Sequence, residues 1–471
     1  MEEKSVGSNK DVSSRRAQAA QPIFANGQSD FFEKRLEPFD PEPFQRRRDL
    51  VAEAIGSGGA AVLFGASNVE RNAGSDFPFR QNSYFYYLTG FEEPNAALVI
   101  DGDTGMSTLF CQERDPELET WTGKRAGLDG AVDVYGFEDS ADSEELFDEL
   151  PDLLKGKRVL SSLPGASPDK DAELAAMWFS GECDRRAAQA IPESLTHLRG
   201  LLDPMRQIKD ETEILNLERA AAISAHGHLA AMRLTRPGMT EREIQAEIER
   251  EFTRRGSKFP AYGTIVGSGA NACILHYVSN DSVVADGAAV MVDAGAEYRC
   301  YAGDVSRTYP ANGKFSPAQR RIYEAVLRCN ELCIAQAVAG NNMGALNKTA
   351  DEHLCRELID LGLIKAGFEE AMAQKLYRRF YMHSIGHFVG LDVHDVGRTR
   401  RADGAPEPFA PNMCFTVEPG LYIPDEPDIP PEFRGIGARI EDNVRVTPQG
   451  PVVYTCGVPK AVDEVEAACG R

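Results

Sequence analysis

Between residues 39 and 205, short apolar runs alternate with longer stretches whose apolar residues recur every three or four positions. The runs AAVLFGA (60–66), YFYYLTG (84–90), AALVID (96–101) and STLFCQ (107–112) predict strands, and the stretches around 41–56, 143–155 and 171–202 predict helices. That alternation makes an α/β domain. Residues 1–38 are polar and aperiodic and predict a loose N-terminal segment. In LDPMRQIKDETEI the pattern breaks at Pro204, and Asp210 with Glu213 forms a capping box that opens a new helix.

From 206 to 471 the element order is helix, helix, sheet, and then the same again. Helices near 211–234 and 240–255 precede strands through 309; Thr240 and Glu243 start the second helix and Gly256 stops it. Ser316, Pro317 and Gln319 supply an N-cap, a first-turn proline and a box partner for a helix ending near Gly340. A further helix at about 344–361 stops at Gly362, and strands fill 380–455. This second domain is α+β, with two αβ halves that share element order but no residue-level repeat. Halves facing each other in this way would leave a cleft between their sheets.

The chain has 471 residues, too many for one ordinary core, which agrees with two domains. Its net charge of −22 repels nucleic acid and anionic membrane surfaces. No apolar run approaches the ~18 residues that span a bilayer, and the acidic N-terminus MEEKSVGSNK matches no signal or transit pattern. Ten scattered cysteines form no CxxC pair; Cys329 and Cys333, one helical turn apart, predict buried thiols. A cytoplasmic protein is expected.

The chemistry lies in an ordered set from the C-terminal domain: Asp293 in MVDAGA, Asp304 in YAGDVSRT, His387 in SIGHFVGLDVHD, Glu418 in FTVEPGLY and Glu441 in ARIEDN. Each sits in an apolar or glycine-flanked segment, where an unpaired charge is costly. Four carboxylates converge only around a counter-charge, and two divalent cations supply it. Asp293 ends a strand and Asp304 starts another after a glycine-containing turn, so a hairpin would bring both to one end of an antiparallel pair. Arg439, Glu441 and Asn443 alternate and share a strand face, which sets a guanidinium beside a ligand. His383 and His387 have the zincin spacing, but Ser384 replaces the required glutamate and Gly386 and Gly390 oppose a helix. An oxygen-rich set with one imidazole suits harder ions such as manganese better than a structural zinc, while affinity order alone leaves zinc and cobalt open. Two such ions can share a bridging hydroxide, a nucleophile near neutral pH. His276, His383 and His394 are available to stabilise an oxyanion, whereas His197, His226, His228 and His353 lie outside any such pattern. Gly56, Gly58 and Gly59 precede a strand and so make no dinucleotide fingerprint; Gly267 and Gly269 are expected to let the backbone pass close to the cleft.

IVGSGANACILHY, VMVDAGAEYRCYAGDVSRTYP, FYMHSIGHFVGLDVHDVG, CFTVEPGLYI and GARIEDN resemble the aminopeptidase P and prolidase group of pita-bread metallopeptidases. FPFRQNSYFYYLTGFEEPNAAL resembles the creatinase-like domain that precedes the catalytic domain in that group. The resemblance implies domains at 39–205 and 206–471 and an Xaa-Pro aminopeptidase, which releases the first residue of peptides with proline second. The alternative activity is that of an Xaa-Pro dipeptidase, and a non-catalytic pita-bread binding protein is a third reading. It further implies Asp304 and Glu441 as bridging ligands of two ions, Mn2+ by preference, with Asp293 on one ion and His387 and Glu418 on the other. Glu418 would move protons; His276, His383 and His394 would meet substrate carbonyls, supported by Tyr422 and Arg439. A homodimer or homotetramer is implied by the same likeness. Tyr86 departs from it, standing where tryptophan is common in the group.

Overall fold

The computed structural model describes residues 39–183 and 191–470, without the side chains of 181–183. The segment 1–38, expected to be loose, lies outside the described residues. The chain divides into two compact units, with the boundary in sequence between Arg206 and Gln207.

The first unit is built on a six-stranded mixed sheet. Its strands run in the order Asp139–Asp142, Ser107–Cys111, Ala97–Asp101, Gly59–Phe64, Val159–Ser162, Ser194–His197. The central Gly59–Phe64 strand is buried along its whole length and pairs antiparallel with Ala97–Asp101 and parallel with Val159–Ser162. A strand covered on both faces needs no polar alternation, which is why AAVLF reads as an unbroken apolar run.

Three expectations fail in this unit. YFYYLTG is a helix, Ser83–Thr89, and not a strand. The Asn82 side chain accepts from Tyr84 N and Phe85 N, and Gly90 closes the helix in the left-handed region, so the caps override the aromatic β-preference. The helix expected over 171–202 is a helix at Pro168–Cys183 followed, after Pro192, by the strand Ser194–His197. Pro204 does not break the chain: it lies inside the helix Arg199–Gln207. Tyr86 is buried, with its ring edge-on to Phe44.

In the second unit the helices Glu211–Leu234, Glu241–Arg254 and Pro317–Ala335 each start with a complete capping box, at Asp210/Glu213, Thr240/Glu243 and Ser316/Gln319. The first pair of helices accompanies a three-stranded antiparallel sheet in which Ala289–Asp293 lies between Ile265–Ser268 and Ser306–Pro310. Pro317–Ala335 and Met343–Asp360 accompany a second such sheet, with Asp442–Thr447 between Cys414–Val417 and Gly450–Val453. Pro317–Ala335 ends short of Gly340, whose left-handed backbone shapes the following loop.

The strands expected to fill 380–413 are absent; turns and isolated bridges occupy that stretch, and regular pairing resumes at Cys414. The physical reason is close approach. A Cβ at Gly386 would lie 1.9 Å from Thr416 O, so this irregular segment lies against the Cys414–Val417 strand where only glycine fits. Gly267 serves its own turn and not the cleft, because its Cβ would meet the Asn271 backbone, and Gly269 faces open space in a left-handed conformation.

Side-chain parity within the first sheet prepares the site. Val290 and Val292 enter the main core, whereas Met291 packs on the other face with Ile265, Ala272 and Tyr422. Asp293 follows Met291 by two residues and therefore emerges on that second face.

Candidate metal centre

The antiparallel pair Ala289–Asp293 and Ser306–Pro310 sets Asp293 opposite Ser306, and a short ribbon, Glu297–Tyr298 with Tyr301–Ala302, is inserted in the connection. Asp304 lies just ahead of the returning strand. Its carboxylate and that of Asp293 are joined by one phenol: Tyr262 OH lies 2.5 Å from Asp293 Oδ1 and 2.7 Å from Asp304 Oδ1, its single proton shared between them. Burial, with Asp293 and Asp304 adding negative potential, raises the Tyr262 phenol well above its ordinary value and keeps it a donor.

The second half supplies the remaining groups. Glu418 follows the Cys414–Val417 strand, and Glu441 stands between the strands Ile436–Arg439 and Asp442–Thr447. His387 is held by its backbone: His387 N donates to Thr416 Oγ1 and Thr416 N to His387 O. The His387 Nδ1–H donates to Phe388 O at 3.0 Å, which turns Nε2 toward the carboxylates, 3.4 Å from Asp304 Oδ2 and 3.6 Å from Glu418 Oε1. Ligand atoms of Asp304, His387 and Glu441 lie within 4.8 Å of one another.

The surrounding hydrogen bonds orient the carboxylates. Arg439 donates Nη2 to Asp293 Oδ2 at 2.5 Å, Nε to Ser306 Oγ at 2.8 Å and Nη1 to Tyr422 OH at 3.0 Å. Ser306 Oγ donates onward to Glu441 Oε2, and Asp304 N donates to Asn443 Oδ1. Arg439 and Asn443 thus flank Glu441 and serve the same cluster.

One guanidinium does not balance four carboxylates. Burial raises Asp293 despite Arg439, raises Glu418 to about 7 despite His387, and with the neighbouring carboxylates raises Glu441 well above its ordinary value. Burial opposes charge on His387, but Asp304 and Glu418 overcome it and bring the imidazole to about 9. Oxygen-rich, short of positive charge and with three of its members within 4.8 Å of one another, this donor set fits hard divalent cations.

A cavity of about 590 Å³ opens onto these groups, lined also by Tyr262, Leu275, His276, Val278, His383, Val393 and His394. His276 and His394 are exposed to it. His383 has both nitrogens engaged: Nδ1–H donates to Ser384 O, and Nε2 accepts from Tyr422 OH. Burial and Arg439 lower His383 to about 4, so the ring is neutral and this tautomer is fixed. The other four imidazoles lie elsewhere. His228 is buried with Nε2 on Ala294 O, His353 contacts Ala325 O and Glu357, His197 accepts from Arg199 N, and His226 lines a separate groove.

The model for metallopeptidase family M24 matches residues 216–448, and that for the aminopeptidase P N-terminal domain matches 44–161. The chain is 40% identical to the Xaa-Pro aminopeptidase of Haemophilus influenzae, over 90% of this chain and 96% of that one. The chain belongs to the aminopeptidase P group of the M24 metallopeptidases. The Escherichia coli Xaa-Pro aminopeptidase is 39% identical over 90% of this chain and 97% of its own. An aminopeptidase structure from Pseudomonas aeruginosa superposes with a TM-score of 0.89 at 40% identity, covering 92% of this chain and 99% of that one. As in aminopeptidase P structures generally, a creatinase-like domain precedes a pita-bread catalytic domain with two αβ halves.

Beside these group motifs, Tyr262, Ser306 and Thr416 were invisible to spacing rules. Tyr262 stands alone in FPAYGT, outside any strand, and only its glycine neighbour hints at a close approach. Ser306 and Thr416 have the strand parity of the site, a usable signal once Asp304 and Glu418 are taken as ligands.

Proposed function

We propose that the protein is a two-metal Xaa-Pro aminopeptidase. One observation carries this: five ligand-type groups from both halves of the catalytic unit line one cavity, and ligand atoms of three of them lie within 4.8 Å of one another. Asp293, Asp304, His387, Glu418 and Glu441 would hold two divalent ions, Mn2+ by preference. Such a pair supplies Lewis acidity at a carbonyl oxygen and lowers the pKa of water toward neutrality.

The chain's own groups have separate tasks. Glu418, whose carboxyl is raised by burial, is suited to take a proton from attacking water and return it to the leaving proline nitrogen. His276 and His394, exposed to the cavity, are the imidazoles with nitrogens free to meet substrate carbonyls. His383 serves through Tyr422 and Arg439, which hold Asp293 in orientation. A bond before proline lacks an N–H and carries a ring; none of these contacts needs that N–H, which suits the site to this bond.

Release of Xaa from Xaa-Pro-Yaa tripeptides tests the reading, with loss of activity on chelation and recovery with Mn2+. Hydrolysis that survives exhaustive metal removal refutes it, and cleavage of Xaa-Pro dipeptides alone would make the enzyme a dipeptidase. The described cysteines are free thiols, which supports a reducing, cytoplasmic setting. No helix among the described residues is long and apolar enough to cross a membrane. A homodimer or homotetramer is proposed from the family likeness, with sedimentation as the check.

A further inference from the structure

Glu241, the first residue of the helix Glu241–Arg254, is fully buried, and no lysine or arginine forms an ion pair with it among the described residues. Its charge is instead met by five hydrogen bonds from a single stretch of chain. Oε1 accepts from Ser268 N at 2.7 Å, Ser268 Oγ at 2.8 Å and Asn271 Nδ2 at 3.0 Å; Oε2 accepts from Tyr277 OH at 2.9 Å and Ser282 N at 3.0 Å. Its own backbone N–H donates to Ser282 O. The donors lie at the start, middle and end of the segment 268–282, so one carboxylate gathers a fifteen-residue excursion. Charge-assisted bonds of this kind fix geometry more strongly than neutral ones.

That segment carries the cavity wall Leu275, His276 and Val278. His276 is exposed, with little packing to define it, yet the next residue, Tyr277, is tied to Glu241 through its hydroxyl. Asn280 adds a second tie. It is buried in a left-handed conformation, accepts from Val266 N and donates to Thr264 O, and so fastens the segment to the edge of the first sheet.

We propose that Glu241 is the positioning residue for His276, its carboxylate fixing where that imidazole stands over the metal centre. This rests on the peptidase reading for its catalytic consequence, but not for its structural one. Glu241→Gln keeps the size of the side chain and turns one acceptor oxygen into an NH2 group that faces donors. It should lower kcat/KM on Xaa-Pro-Yaa roughly ten- to hundredfold, the range for losing a group that orients a reacting residue. In a His276→Ala background the same change should cost less than about threefold, because the group it positions is gone. Two independent, multiplying losses would overturn the proposal, as would full activity in Glu241→Gln. NMR of the histidine ring protons gives a readout that needs no activity. The His276 signals should shift in Glu241→Gln while those of His394 stay in place; movement of both, or of neither, counts against it. Should Glu241→Gln fail to fold, Tyr277→Phe removes a single donor and carries the same cycle and the same NMR comparison. Absence of tripeptide hydrolysis in the unaltered enzyme would refute the peptidase reading and leave the NMR test standing.

Discussion

Glu441 and Asp442 are adjacent in sequence and both buried, yet their surroundings push their carboxyls in opposite directions. Glu441 points with Ser306 and Arg439 toward the cavity, whereas Asp442 points to the other face with Arg307. There Arg307 Nη2 at 2.7 Å, Lys460 Nζ at 2.6 Å and Thr455 Oγ1 at 2.6 Å all bond Asp442, and despite burial they hold it well below the usual carboxylate range. The protein supplies the counter-charge for Asp442 from its own side chains. For Glu441 it offers only Arg439, shared with Asp293, and adds further carboxylates. Glu441, with one serine hydroxyl and a shared guanidinium among several acids, stands where a cation would be stabilised; Asp442, with two cations of its own, is a structural clamp.

Removing each in turn should break the comparison most sharply. Glu441→Ala, like Asp293→Ala, should lower kcat/KM by more than the ~100-fold typical of losing a group that merely orients a ligand. The melting temperature of the metal-free protein should not fall, since the deleted charge was unbalanced. Asp442→Ala leaves Arg307 buried without its partner and should cost about 3–5 kcal/mol in denaturant unfolding. Equal stability losses in the two variants would refute the distinction.

Acid and alkali should separate the two acids in metal-stripped protein. Glu418 is raised in the folded state from 4.5 to about 7, so the stability it contributes is present below 4.5 and lost as pH rises through about 7. His387, raised from 6.5 to about 9, acts with the same sign, and its contribution is lost as pH rises through about 9. Asp442 is lowered, so its contribution is present above its unfolded value and lost as pH falls below about 4. Denaturant midpoints of stripped protein should therefore decline from mildly acidic to alkaline pH. Saturation with Mn2+ should flatten that decline, because bound cations replace the protons. A decline of the same slope in stripped and loaded protein would show that the cluster does not bind the ions.

A subtler change acts between the ligands. Tyr262→Phe deletes the hydroxyl shared by Asp293 and Asp304 without touching a ligand. Mn2+ affinity by calorimetry should weaken about ten- to hundredfold, whereas the Asp442 clamp and the unfolding transition should be little altered.

What could be read from sequence followed local physics. The three capping boxes and the strand that ends at Asp293 depend on neighbours within a few residues, and the structure contains them, whereas Arg439, Glu441 and Asn443, expected on one strand, straddle the join of two. The aromatic run at 84–90 has the β-propensity of a strand, but Asn82 and Gly90 cap it as a helix, and the caps decide the matter. The stretch 380–413 misled because its backbone is shaped by contact with a strand thirty residues later, at Gly386 against Thr416. Tyr262 and Glu241 escaped notice for a related reason: each acts by joining segments distant in sequence, and a single tyrosine or glutamate carries no spacing.

The smallest effect sought concerns the hydroxyl of Tyr422, which links the metal cluster to the cavity wall. Arg439 Nη1 donates to this oxygen at 3.0 Å, and its proton is directed to His383 Nε2 at 2.8 Å, because His383 Nδ1–H is already given to Ser384 O. The relay runs in one direction and fixes the neutral tautomer of His383. Tyr422→Phe removes two hydrogen bonds, each worth about 0.5–1.5 kcal/mol net, and the share of that felt in the transition state should lower kcat/KM roughly two- to twelvefold. His383 Nε2 loses its donor while Nδ1 keeps its acceptor, so the ring should remain neutral near pH 7 and no new ionisation should enter the pH–rate profile. A much larger loss, accompanied by a shifted profile, would mean that Tyr422 itself contacts the reacting carbonyl and that the cavity wall takes a direct part in the chemistry. A loss confined to the predicted range would place Tyr422 with the orienting groups, on the same side of the division as Arg439 and Ser306.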